Sequence, residues 1–161
     1  MLCISTEEFL FWKKKQLTKG GDQQSFAFLL DCIGGISHSD QNLMSINSKE
    51  DLQLKNNLEF LESVWDDHLL KSCPIQYLCG ITFWRDLKLK VTNKVLIPRP
   101  ETELIIDIVF NIFRRKSEKL FFAELGTGSG AISIALALAY PLSEGIALSL
   151  IHISEPTRPS S

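Results

Sequence analysis

Apolar positions recur at helical spacing along the first half of the chain and switch to alternation near its middle. Ser5-x-x-Glu8 has the form of a capping box, and Phe9, Leu10 and Trp12 follow it, so an amphipathic helix is predicted through Gln16 with its stop at Gly20-Gly21. Phe26, Leu29, Leu30 and Ile33 predict a second helix over about 25–33, ended by Gly34-Gly35. The Ser- and Asn-rich stretch 36–47 predicts a turn with one short helix at most. Leu54, Leu58, Leu61, Trp65 and Leu69 then form the stripe of the longest helix, with Ser48-x-x-Asp51 as its expected cap. Such a stripe reads as a core face, and neither Trp65 nor His68 needs a ligand to explain it. Residues 1–72 are therefore expected to form a small helical bundle.

From Cys73 the pattern changes. Pro74-Ile75-Gln76-Tyr77-Leu78-Cys79-Gly80 is expected to leave the helix. Ile81, Phe83, Leu87, Leu89 and Val91 alternate with polar neighbours, which predicts a β-hairpin with its tip at Arg85-Asp86, the centre of a linker over residues 73–98. Val95-Leu96-Ile97 reads as a further extended piece, closed by Pro98-Arg99-Pro100, whose prolines also restrict the residues before them. Glu101-Thr102-Glu103 places acids at the positive end of a helix whose expected buried face is Leu104, Ile105, Ile108, Val109, Ile112 and Phe113, closed by Arg114, Arg115 and Lys116. The run from Phe121 to Ile132 reads as strand, glycine turn and helix, the helix continuing to Ala139, and Ile146–Ile153 offers a second strand.

The glycine turn carries the candidate chemistry. Gly126, Gly128 and Gly130, with Thr127 and Ser129 between them, let backbone N–H groups approach a ligand at the positive end of the following helix. Counting Ala131 last, the spacing also satisfies the dinucleotide fingerprint, so the glycines alone do not separate a dehydrogenase from a methyltransferase. Glu124 does more. An acid two residues before the first glycine suits an ammonium or other cationic part of a ligand and repels a pyrophosphate. A plain strand-to-helix connection is the simpler alternative.

Composition narrows the partner. The 161 residues carry a net charge of −2, which leaves no basic footprint for nucleic acid or an anionic membrane. Cys3, Cys32, Cys73 and Cys79 contain no C-x-x-C pair, and His38, His68 and His152 stand apart, so neither a metal site nor a disulfide framework is expected. Glu7 and Glu8 come early and Lys13–Lys15 follow the apolar residues, which is not a signal peptide; Pro141, Ser143, Glu144 and Gly145 split the apolar region 131–153. A cytoplasmic protein is the expectation.

Glu124-x-Gly126-x-Gly128-x-Gly130 resembles the first motif of doubly wound S-adenosylmethionine-dependent methyltransferases. In order with it stand Pro74-Ile75-Gln76-Tyr77-Leu78-x-Gly80, then Phe83, Leu87 and Val91, then Val95-Leu96-Ile97-Pro98-Arg99-Pro100-Glu101-Thr102-Glu103. Together these closely resemble the protein-(glutamine-N5) methyltransferases that act on peptide chain release factors, over residues 74 to about 139. The resemblance implies an α+β two-domain chain. A helical substrate-recognition domain (1–72) and the hairpin linker lead into the start of a doubly wound methyltransferase domain (99–148).

It further implies S-adenosylmethionine as cofactor, held by Glu124, Gly126, Thr127, Gly128, Ser129 and Gly130. Arg99, Glu101 and Thr102 would belong to an active-site loop, unless that loop only caps a helix and braces the junction. The implied reaction methylates the side-chain amide nitrogen of the glutamine in a release factor's Gly-Gly-Gln motif. An amide lone pair is delocalised, so such an enzyme must align the nitrogen and hydrogen-bond the amide, a task the family gives to an Asn-Pro-Pro-Tyr motif. No such motif occurs here, so no catalytic residue is assigned.

The 43 residues from Lys119 onward hold too few βα units for a full doubly wound domain, so the chain is expected to be an inactive N-terminal fragment. Residues 149–161 resemble translated adapter DNA more than the family, and neither His152 nor Glu155 is assigned to a ribose contact. A methyltransferase with another acceptor, an NAD-dependent oxidoreductase and a helical protein-binding remnant are the alternatives.

Overall fold

The structure is a computed structural model that describes residues 2–44, 51–115, 117 and 119–149. The chain is a mixture of helices and small sheets and divides into two compact units between Ile81 and Thr82.

The first unit opens with a short strand, β1 (Leu2–Ile4), before the expected helix α1 (Thr6–Thr18). Ser5 caps α1, its Oγ accepting from the Glu8 N–H at 3.2 Å. Asp22 does the same for α2 (Gln23–Leu29), accepting from Ser25 N–H at 2.8 Å. The helix then widens into one π turn, Leu30–Gly34, which Gly35 ends in the left-handed region. The short helix of the polar stretch is α3 (His38–Met44).

Strand β2 (Leu52–Leu54) pairs antiparallel with β1 in the register Leu2 to Leu54. This corrects the expected long helix: Leu54 belongs to a strand, and α4 runs only over Leu58–Leu70. Its cap is Asn57, whose Oδ1 accepts from Phe60 N–H at 2.9 Å; Ser48, the expected cap, lies outside the described residues. Ile75–Cys79 is also a helix, α5, where an irregular segment was expected; Gly80 terminates it at φ 71°. Pro74 at its start leaves no helical donor unsatisfied, and Ile75 is buried.

Phe9, Trp12, Phe26, Leu29, Leu30, Leu61 and Trp65 fill the core of this unit. Trp65 stands edge-on to Phe26 at 4.9 Å and donates its indole N–H to the Gln16 carbonyl at 3.3 Å. Lys19, at the end of α1, lies 2.7 Å from both Glu62 and Asp66 of α4. Gly21, at φ +85°, is forced: a Cβ there would stand 2.5 Å from the Trp65 ring. The four cysteines are free thiols.

The second unit begins within the strand pair β3 (Ile81–Trp84) and β4 (Leu87–Lys90), joined at Arg85-Asp86 with Arg85 at φ 50°. Arg85 reaches from that turn to the Asp107 carboxylate at 2.9 Å and the Glu103 carbonyl at 3.2 Å. A 3-10 turn, Pro100–Thr102, leads into α6 (Glu103–Ile112). Then come β5 (Phe121–Leu125), α7 (Ala131–Ala139) and β6 (Glu144–Leu148). Strands β5 and β6 are parallel, from Phe121 opposite Glu144 to Leu125 opposite Leu148, so β5, α7 and β6 make a βαβ unit. Beyond Ser149 the expected second strand lies outside the described residues.

Ile106, Trp84, Leu89, Leu120, Leu136 and Tyr140 form its core. The expected face of α6 is corrected. Ile106 is fully buried while Leu104 (62%), Ile108 (50%) and Ile112 (66%) are exposed; of the expected set only Val109 and Phe113 pack on the core. The helix is apolar nearly all round, so spacing alone could not choose the side that packs.

Candidate functional site: the glycine loop

The loop Gly126–Gly130 lies between the C-terminal end of β5 and the first turn of α7. All three glycines adopt left-handed φ, 80°, 54° and 80°. Added side chains at Gly126 and Gly128 would meet no packed side chain, the closest atom being the Gly126 carbonyl oxygen 3.9 Å from a Cβ on Gly128. The loop therefore faces open space with its backbone bare, while at Gly130 a Cβ would press Ile134 at 3.3 Å. Glycine serves backbone conformation and ligand approach at the first two positions, and packing as well at the third.

The acid before the loop holds it in shape. Glu124 Oε2 accepts from Thr127 Oγ at 3.0 Å, from the Ser133 N–H at 3.1 Å and from Ser133 Oγ by a shorter contact. A half-buried carboxylate thus ties the strand end, the loop and the first turn of α7 together at the helix's positive end. Its other oxygen, Oε1, takes no hydrogen bond from any described residue. From the opposite side, the Leu148 carbonyl of β6 accepts from Gly126 N–H at 2.8 Å and Thr127 N–H at 3.0 Å. Gly130 N–H is spent on the Thr127 carbonyl at 2.8 Å.

Sequence reasoning missed Ser133. Its only signal is that it is the one polar residue in the apolar helix Ala131–Ala139.

The second predicted cluster, Arg99, Glu101 and Thr102, is held through its backbone. The Arg99 carbonyl accepts from Thr102 N–H at 3.1 Å and from the Trp84 indole N–H at 3.0 Å. The Arg99 and Glu101 side chains are exposed and make no hydrogen bond or ion pair with a described residue, and no such bond joins this cluster to the glycine loop. Among the described residues there is no group of three or more His, Cys, Asp or Glu that could hold a metal ion, and no helix long and apolar enough to cross a membrane.

The geometry leaves a cradle with one acid at its base, bare backbone, and the N–H groups of Gly128 and Ser129 not drawn into the loop's own backbone bonds. These residues fit a ligand with a polar, cation-bearing end. A polyphosphate would find two of the loop's donors already taken by Leu148 and a carboxylate beside it.

No family model matches the chain. Among curated proteins it is similar to the release factor glutamine methyltransferase of Prochlorococcus marinus, 43% identical over 143 residues, 88% of this chain and 49% of that protein. The proteins of the same name from Synechocystis and Coxiella burnetii are 36% and 38% identical over 86% and 70% of this chain, and 48% and 39% of their own lengths. The chain spans about half the length, or less, of these curated relatives.

Proposed function

We propose, from the chain's kinship with proteins named release factor glutamine methyltransferase, that the complete protein methylates peptide chain release factors on the side-chain amide nitrogen of the Gly-Gly-Gln glutamine. The observation that carries the reading is the loop: three left-handed glycines, open backbone, and Glu124 where a cation-bearing ligand needs an acid. S-adenosylmethionine, when bound, supplies an electrophilic methyl group. Gly126–Gly130 would hold it through backbone contact, with Glu124 Oε1 toward its ammonium and Oε2 fixing the loop.

Exclusion of competing dinucleotides follows from the same acid. Arg99, Glu101 and Thr102 would organise the acceptor side, in a loop that Trp84 anchors by its backbone. In this reading residues 1–72 recognise the substrate, 73–98 link, 99–148 begin a doubly wound methyltransferase domain, and 149–161 are foreign to the family. The protein works in the cytoplasm, without direct contact with nucleic acid or membrane. Lacking an Asn-Pro-Pro-Tyr motif, the 161-residue chain by itself is expected to leave a release factor unmodified.

The test is mass spectrometry of a release factor incubated with S-adenosylmethionine and the product of the gene's full reading frame. One added methyl on the Gly-Gly-Gln glutamine, lost with Gly128→Val, is the expected result. A release factor left unmodified while another acceptor is methylated would redirect the reading to that acceptor.

A further inference from the structure

The N-terminal unit carries a cavity of about 300 Å³ among α1, α2 and α3, within the size range of small-ligand sites. Leu17 and the fully buried Phe26 supply its apolar wall, and Gln23, Gln24 and His38 supply polar groups at its exposed edge. Gln41 is buried and fixed: its Nε2 donates to the Ala27 carbonyl at 3.0 Å and the Ile36 carbonyl at 3.1 Å, which ties α3 to α2 and sets the cavity's shape.

Into this wall comes Lys13, half-buried on the face of α1 that also presents Leu17. Burial pushes its ammonium below the ordinary lysine value, and no ion pair or hydrogen bond to a described residue compensates. Among the described residues no carboxylate lines the cavity. The two acids nearest in sequence to its walls are occupied elsewhere, Asp22 on Ser25 N–H and Asp40 on Ser37. Lys19, the residue that caps the end of α1, shows the contrast: it is clamped by Glu62 and Asp66. A partly desolvated cation beside an apolar wall, without a counter-ion among the described residues, is completed by an anion that brings apolar surface with it.

We propose that this cavity binds a carboxylate carried on a short aliphatic stem, with Lys13 as its counter-ion and Leu17 and Phe26 against the stem. Two sources share this chemistry: an acidic side chain presented by a polypeptide, and a free small dicarboxylic acid. The proposal does not depend on the methyltransferase reading.

The test is an NMR titration of the 161-residue chain with N-acetyl-glutamate amide, with glutarate, and with N-acetyl-glutamine amide as the uncharged isostere. Saturable shifts at Leu17, Ala27 and Gln41 are expected, with an acid binding about ten-fold or more tighter than the isostere, as one charge-assisted contact gives. Binding of the blocked glutamate but not glutarate assigns a polypeptide source; the reverse assigns a free acid. Lys13→Met, which keeps the aliphatic stem, should abolish the preference for the acid while leaving the isostere's affinity unchanged. Shifts that fail to saturate with either acid, or an isostere that binds as tightly, would overturn the proposal. The comparison of acid with isostere uses the unaltered chain and so stands whether or not the variant folds.

Discussion

At the scale of single residues, Glu124 holds the loop more than it decorates it. Three donors converge on one of its oxygens, so Glu124→Ala should cost about 1–3 kcal/mol and loosen Gly126–Gly130 together, read as faster amide exchange across the loop. Ser133→Ala removes one donor and should reproduce part of that loss. Unchanged exchange in both would show that the loop keeps its shape without the carboxylate. Glu124 and the glycines were legible in the sequence because an acid and three glycines in so short a span answer to one geometry. Ser133 was not, since serine early in a helix is common for reasons of capping alone.

Two further acids titrate with consequence. The hydrogen bond from Lys19 holds Glu62 below the ordinary glutamate value, and the Ser25 backbone N–H holds Asp22 below the aspartate one. Both are depressed, so their stabilisation is full above the unfolded values, about 4.3 and 3.9, and is lost as pH falls through the lower folded ones. The urea midpoint should therefore fall on acidification below about pH 5. Lys19→Met should remove the Glu62 share of that slope and spare the Asp22 share.

At the scale of elements, α6 is where pattern and packing part company. Its sequence offers apolar residues on every side, and the residue that is fully buried, Ile106, is not among those the spacing selected. Ile106→Ala should cost about 2–5 kcal/mol, whereas Ile108→Gln and Ile112→Gln should each stay within about 0.5 kcal/mol, as thermal unfolding would measure. A large loss at Ile108 would restore the face read from the sequence. Strands β1 and β2 were invisible for another reason: three residues each, they carry too little alternation to stand out, and only their pairing defines them. The same pairing explains why Leu54 fell on the stripe of α4 by coincidence of spacing. Asn57 was passed over because Ser48-x-x-Asp51 offers the same capping chemistry earlier in the chain.

At the scale of the whole molecule, the cores around Trp65 and around Ile106 share no residue. Destabilisation should therefore stay local. In the Ile106→Ala variant, hydrogen exchange should quicken in α6 and α7 and hold steady in α1 and α4; uniform quickening would mean one cooperative body. The change of composition at Cys73 made two parts legible, but α5 lies on the near side of the division at Ile81 because Ile75 completes the first core.

The bond between the glycine loop and Leu148 also has a meaning in time. Polypeptides are made from the N-terminus, and the carbonyl that receives Gly126 and Thr127 is translated only after the whole of α7 and β6. At a ribosomal rate of roughly 5–20 residues per second, the loop spends on the order of a second or more outside its final form. Until then Gly126 and Thr127 lack the acceptor that fixes them, and the pairing of β6 with β5 is the event that supplies it.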